Sequence, residues 1–274
     1  MEFLPPWYVA TVVGLFGLII GSFLDVVVSR FHTGKSINGR SRCMSCGHTL
    51  SWYELFPFFS YVILKGRCKE CGGYIPFRLL VMELCTCALF VIAFLSTPSL
   101  WFFLFSLALI SLLIVVASYD IQHMVIPNEF VFGALGLSLI HLGLVSSWFL
   151  NLEVLVPYIL SAIGASVFYA GLWVVSKGTW IGLGDAKLAF PLGLMLHYID
   201  AFSFVVLSFW IGAFVSIAVL LVQRALYSGK HRLPILSVPL TMKSEVPFAP
   251  FMIAAFILVY LGHINVLSIM TGLF

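Results

Sequence analysis

Charged side chains are scarce in this chain: 14 Lys and Arg and 11 Asp and Glu among 274 residues, or 9%. Soluble domains carry about 25%. With 62% hydrophobic residues and a mean hydropathy of +1.12, too little polar surface remains for a dispersed soluble fold. The same shortage excludes disordered chains, secreted disulfide scaffolds and nucleic-acid binders, so no nucleic-acid partner is expected. Internal repeats, low-complexity tracts and Gly/Ser linkers are also missing. So are G-x-S-x-G, H-E-x-x-H and a phosphate loop, which removes the common hydrolase signatures. The first apolar run lacks the basic start and small-residue cleavage site of a signal peptide. It begins Met1-Glu2 and ends at Arg30, so a retained helix is expected.

What is present is a succession of long apolar runs. A spanning helix needs about 20 mostly apolar residues. Candidates are 7–28, 79–95, 100–118, 130–150, 154–175, 186–198, 202–222 and 248–269, giving an all-α polytopic membrane protein with about eight transmembrane helices. The sixth is short and follows directly on Asp185, as if it began inside a polar cavity. With eight crossings, one side of the membrane receives residues 29–78, 119–129, 176–187 and 223–247. Those loops hold all 14 Lys and Arg residues, among them Lys35, Lys230, Arg232 and Lys243, and the other side holds none. The positive-inside rule makes them cytoplasmic and puts both termini outside.

Residues 30–78 break the pattern, being polar, basic and rich in cysteine. They read as a small cytoplasmic module between a first transmembrane helix, 1–29, and a membrane domain, 79–274. The apolar stretch 55–64 within it is too short to span and carries Pro57. Cys43-Met44-Ser45-Cys46 and Cys68-Lys69-Glu70-Cys71 form two C-x-x-C turns, and two such turns complete a tetrahedral all-sulfur shell. Gly47 and Gly72-Gly73 follow the pairs, where positive φ is useful. A reducing compartment argues against disulfides, and zinc suits four thiolates better than a hard cation does. A closed shell leaves no position for substrate, so this zinc is structural. Cys85 and Cys87 lie inside the second span and are expected to pack.

Four residues are aspartates: Asp25, Asp120, Asp185 and Asp200. Asp120 ends the third span and Asp185 opens the sixth in Gly182-Leu183-Gly184-Asp185, so both lie at the cytoplasmic face. Ionisable residues at the lip of a span are costly and mark function. A helix N-cap following a glycine turn is the other role open to Asp185. Two close carboxylates share one proton, so one can deprotonate a water while the other donates to a scissile carbonyl. Asp200, in a short outer turn, reads as solvated or capping. Asp25 reads as paired with Arg30 or with another helix.

Taken in order, Gly21-Ser22-Phe23-Leu24, the paired C-x-x-C module, Lys65-Gly66-Arg67-Cys68, Glu83, Asp120 with Pro127, Gly182 through Lys187, and Pro247 through Phe251 resemble the bacterial prepilin peptidases, or type IV leader peptidases. The chain departs from that pattern with Asp25 in place of Asn and Met44 in place of Pro. The resemblance implies an aspartic endopeptidase of the bacterial cytoplasmic membrane. Its substrates would be prepilins and pseudopilins, for type IV pili or type II secretion, cut at a Gly–Phe type bond. It puts Asp120 and Asp185 in the catalytic positions. It also implies N-methylation of the new amino terminus with S-adenosylmethionine, in which Glu83 takes part. No G-x-G-x-x-G-like cofactor loop occurs in residues 30–78, and an ion pair with Arg78 is the other role open to Glu83. Three further readings stay open: a peptidase with a purely structural zinc module, a proton-coupled transporter using the two aspartates, and a non-enzymatic assembly subunit.

Overall fold

The computed structural model describes residues 5–34, 36, 39–97, 99–146, 152–227 and 246–271. Lys35, Lys230, Arg232 and Lys243, expected in cytoplasmic loops, lie outside the described residues. Among the described residues the regular structure is helical, apart from two isolated β-bridges in the cysteine-rich segment. Among the described residues, six helices are long and apolar enough to cross a bilayer: α1 (Pro6–Arg30), α3 (Phe77–Ser96), α4 (Leu100–His123), α5 (Asn128–Val145), α6 (Leu152–Ser176) and α8 (Tyr198–Tyr227). Between and after them come four shorter ones: α2 (Phe59–Ile63), α7 (Leu183–Gly193), α9 (Ala249–Tyr260) and α10 (Val266–Thr271).

Six long helices, not eight, is the principal difference from the sequence-based count. The sixth expected span is α7, which starts at Leu183 and holds only 11 residues. At 1.5 Å per residue that is about 16 Å, half of a bilayer core of about 30 Å. The last expected span divides into α9 and α10 because the chain turns at Gly262 and His263, the latter with φ 51°.

Two compact units divide at Ser118/Tyr119, inside α4. In the first, α1 packs along α3. Gly14, Gly17 and Gly21 recur at helical spacing on the buried side of α1. A Cβ on Gly17 would lie 2.8 Å from Cys87 Cα, and one on Gly21 2.7 Å from Glu83 Cα. Small residues let the two backbones approach, as helix pairs in lipid require. Gly21→Ala should therefore force the pair apart and cost about 1–3 kcal/mol, as overpacking does. Gly171→Ala, where nothing lies within 4 Å, is the control. A thermal melt that shifts equally for both would contradict this packing.

In the second unit α7 packs against α6 and α5, and α9 against α8. Gly193 sits so close to α6 that a Cβ would come within 2.8 Å of Ala162 Cα. The core is Tyr169, Leu188, Leu192, Phe204, Met252 and Phe256, all fully buried. Tyr169 stacks on Phe209 and also meets Phe204 and Phe248. Short α7 and α9 are thus the most enclosed helices of their unit, and their amino ends carry the site.

Candidate active site and metal centre

Asp120 lies in the last turn of α4, where its carbonyl accepts from the Met124 N–H and closes the helix. Asp185 is the third residue of α7. Both are buried, at 5% and 6% exposure, and the two carboxylates interact electrostatically. Although 65 positions apart, they are brought together within the second unit. Each is held by a backbone N–H through one oxygen. Gly182 N–H donates to Asp185 Oδ2 at 3.2 Å, and Ala249 N–H donates to Asp120 Oδ2 at 3.3 Å. Among the described residues no other hydrogen bond reaches either carboxylate. The N-cap of α7 is Gly182 and not Asp185, which sits at the third position and returns one oxygen to the Gly182 N–H.

Glycine serves differently at the two positions of Gly182-Leu183-Gly184. Gly182 is the N-cap with ordinary extended geometry, φ −73°. Gly184 lets Ile126 approach, since a Cβ there would meet Ile126 Cβ at 3.2 Å. Two further contributors were not singled out from the sequence as site groups, although the first falls within the Pro247–Phe251 motif. One is the Ala249 amide, at the N-terminus of α9. The other is Tyr169 on α6, which interacts with Asp185 and hydrogen-bonds Ser208 at 2.7 Å. Ser166, one turn earlier, donates to the Ala186 carbonyl at 3.0 Å and fixes α7 to α6. Asp200 is half-buried and interacts with His197 and His263, so it is not a free surface carboxylate.

In the first unit the four thiols converge. The ligand atoms of Cys43, Cys46, Cys68 and Cys71 lie within 4.8 Å of one another, with Cys43 Sγ and Cys71 Sγ 3.8 Å apart. Metal–sulfur bonds of about 2.3 Å put tetrahedral sulfurs about 3.8 Å from each other, so the residues fit a metal such as zinc. The two turns are built alike. Cys43 N–H donates to the His48 carbonyl at 2.8 Å and Gly47 N–H to Cys43, while Cys68 N–H donates to the Gly73 carbonyl at 2.8 Å and Gly72 N–H to Cys68. Gly47 and Gly72 have φ 72° and 70°, the left-handed geometry expected of them. Bridges Arg42–Thr49 and Arg67–Tyr74 close each knuckle. The Arg-Cys-x-x-Cys-Gly pattern thus recurs from Arg42 and from Arg67, a short local repeat in a chain where no longer internal repeat was expected.

Backbone N–H groups of Cys46, first, and of Ser45 draw the Cys43 thiol down to about 6. At Cys71 the Gly73 N–H pulls the other way, but hydrogen bonds from Cys46 and the other thiols, with desolvation, outweigh it and push the thiol up to about 11. The cluster without metal shares protons among its sulfurs, and a cation would displace them. A short 3₁₀ turn, Trp52–Leu55, follows the first knuckle. Its Glu54 accepts from the Ser51 N–H at 2.7 Å, and this bond foremost holds the carboxyl below its usual range, with His48 3.6 Å away adding to it.

Glu83, on α3, is 2% exposed. Phe58 N–H donates to its Oε2 at 2.8 Å, and the Ser22 hydroxyl is a second partner. Arg78 Nε binds Asp25 Oδ1 at 2.8 Å, tying α3 to α1. Asp25 thereby has a partner on another helix, one of the two roles open to it.

Fold and sites together define a class: helical, multi-pass membrane proteins that join a four-thiol module to a pair of buried carboxylates. Residues 15–97 match the bacterial peptidase A24 N-terminal domain, and residues 107–217 match the type IV leader peptidase family. The chain is 34% identical over 261 residues to the prepilin leader peptidase/N-methyltransferase of Bacillus subtilis (strain 168), covering 93% of this chain and 94% of that one. It is 33% identical over 212 residues to the protein of the same name from Myxococcus xanthus (strain DK1622), covering 75% of this chain and 61% of that relative's length. With the Dichelobacter nodosus protein of that name it shares 29% over 281 residues, 89% and 88% of the two chains. No solved structure matches it. The chain belongs to the type IV leader peptidase family.

Proposed function

We propose that this chain is an aspartic endopeptidase that removes the leader from prepilins and pseudopilins at a Gly–Phe type bond and then methylates the new amino terminus. The observation that carries the first activity is the burial of Asp120 and Asp185 within one unit, each with a single oxygen fixed by backbone. The remaining oxygens are available to a water and to the scissile carbonyl. The ionised carboxylate takes a proton from the water as its oxygen attacks the carbonyl carbon, while the protonated one donates to the carbonyl oxygen. The newly protonated carboxyl then passes its proton to the amide nitrogen while the other takes one back from a hydroxyl of the tetrahedral gem-diol. The C–N bond breaks, the new carboxyl and amine ends separate, and the pair is back in its starting state.

Cys43, Cys46, Cys68 and Cys71 hold a zinc ion, which cross-links a module too small to have a thick core of its own. Residues 30–78 form this module, 1–29 the first membrane helix and 79–274 the peptidase domain. The positive-inside rule assigns the basic loops to the cytoplasmic side of the bacterial inner membrane. That puts both sites where a leader's amino end begins. S-adenosylmethionine, when bound, supplies the electrophilic methyl group. Glu83 fits that chemistry as a buried carboxylate, able to face a cationic donor and to take the proton an amine must lose before it reacts. Glu83→Gln is expected to cut prepilin at close to the normal rate and to leave its new terminus largely unmethylated. Full methylation by this variant would make Glu83 a purely structural ligand of the Phe58 loop.

The direct test of the function is incubation of the purified, lipid-reconstituted chain with a prepilin. A shortened substrate that begins after the glycine is the expected product. A substrate that stays at full length would favour the transporter or assembly-subunit reading.

A further inference from the structure

A groove of about 520 Å³ opens in the first unit between α1 and the module. Its walls are mostly apolar: Phe23 and Val26 from α1 face Trp52, Leu55, Phe56 and Pro57. Ser22 lines the same groove and is a partner of the Glu83 carboxylate, so the wall on α1 leads to a buried acid. The next residue along the opposite wall is Phe58, with φ 62° and ψ −56°. Phe59 N–H closes a three-residue γ-turn on the Pro57 carbonyl at 2.6 Å. That conformation is rare and strained for a residue other than glycine. It turns the Phe58 N–H onto Glu83. The strained turn thus holds the groove wall and the carboxylate in one fixed relation.

We infer that this groove receives the first turn of a cleaved pilin-type helix, its new α-amine directed toward Glu83. The inference rests on the peptidase and methyltransferase reading. Leader removal produces an apolar segment that begins with a single cation, the complement of an apolar groove leading to a carboxylate. The basic character of the module sharpens the match. Arg40, Arg42, Lys65, Arg67 and Lys69 outnumber Glu54 and Glu70 in the same segment, so a carboxylate behind the groove wall is a favourable neighbour for an ammonium group there. The apolar lining offers little to the hydroxyls of a ribose, which speaks for the peptide and against the methyl donor as occupant. The volume lies within the range of about 300–1,000 Å³ typical of ligand clefts.

Photocrosslinking in bilayer nanodiscs tests this on the full chain. With p-benzoylphenylalanine in place of Phe56 or Phe23, illumination with a pre-cleaved pilin should yield adducts to the first residues of that pilin. The same probe in place of Ile63, exposed and outside the groove, should yield none. Adducts to lipid alone would show an acyl-chain site and overturn the inference. A second variant, Val26→Trp, narrows the groove. It should raise the KM for pre-cleaved pilin about tenfold or more, the worth of a lost hydrophobic contact, and leave the KM for S-adenosylmethionine unchanged. A rise in the latter alone would assign the groove to the cofactor and overturn the inference. If the unmodified chain methylates nothing, the methyltransferase reading fails, and the adducts with pilin still decide the groove.

Discussion

Asp120→Asn and Asp185→Asn are each expected to abolish leader cleavage, lowering its rate by more than about 10³-fold. Asparagine keeps the size of the side chain and can accept the same backbone hydrogen bonds from Ala249 and Gly182. It can neither take a proton from water nor share one with the remaining carboxylate. Expression, membrane insertion and thermal melting should stay near those of the unmodified chain, because the substitutions relieve a like-charge contact in a buried place. Asp200→Asn, beside His197 and His263, should leave cleavage intact. Substantial cleavage by either of the first two variants, measured by mass spectrometry of the substrate, would remove the dyad mechanism.

Loss of metal is the second large effect. Structural zinc contributes apparent binding free energies of about 10–16 kcal/mol in small modules. Cys43→Ser combined with Cys46→Ser should therefore abolish zinc binding and unfold the module. Elemental analysis should find one zinc per unmodified chain and none in the double variant. Limited proteolysis should then cut within residues 39–76 of the variant and spare the unmodified chain. Unchanged zinc content in the double variant would put the metal elsewhere, and an unchanged digestion pattern would deny it a structural role.

Much of this was legible from residue type and spacing. Apolar runs locate the helices because lipid demands them, and two C-x-x-C turns announce a tetrahedral thiol cluster because the turn itself sets the sulfur spacing. Span number was less legible. Residues 186–198 are as apolar as a crossing helix, but the chain builds only α7, 11 residues long, enclosed by α5 and α6. Hydropathy cannot separate a helix buried in protein from one buried in lipid. The two aspartates stood out because charge in such a chain is costly. Their orienting groups were only partly legible: Gly182 and Ala249 fall within motifs that the sequence marks, but the donors are backbone amides, which side-chain chemistry does not point to. Tyr169 was hidden as one more aromatic in an apolar helix. The Phe58 turn was hidden for the opposite reason, because its positive φ falls on a residue type that sequence rules assign to ordinary geometry.

The two chemistries are assigned to different carboxylates, and that assignment is most directly tested by giving one variant two substrates. Reconstituted Asp185→Asn is incubated with S-adenosylmethionine and either a prepilin or the same pilin already freed of its leader. Mass spectrometry then reads both amino termini. The expected result is an intact precursor in the first reaction and a methylated terminus in the second. A cleaved precursor, or a pre-cleaved pilin left unmethylated by a variant that the unmodified chain outperforms, would contradict the separation of a dyad that cuts from a glutamate site that methylates.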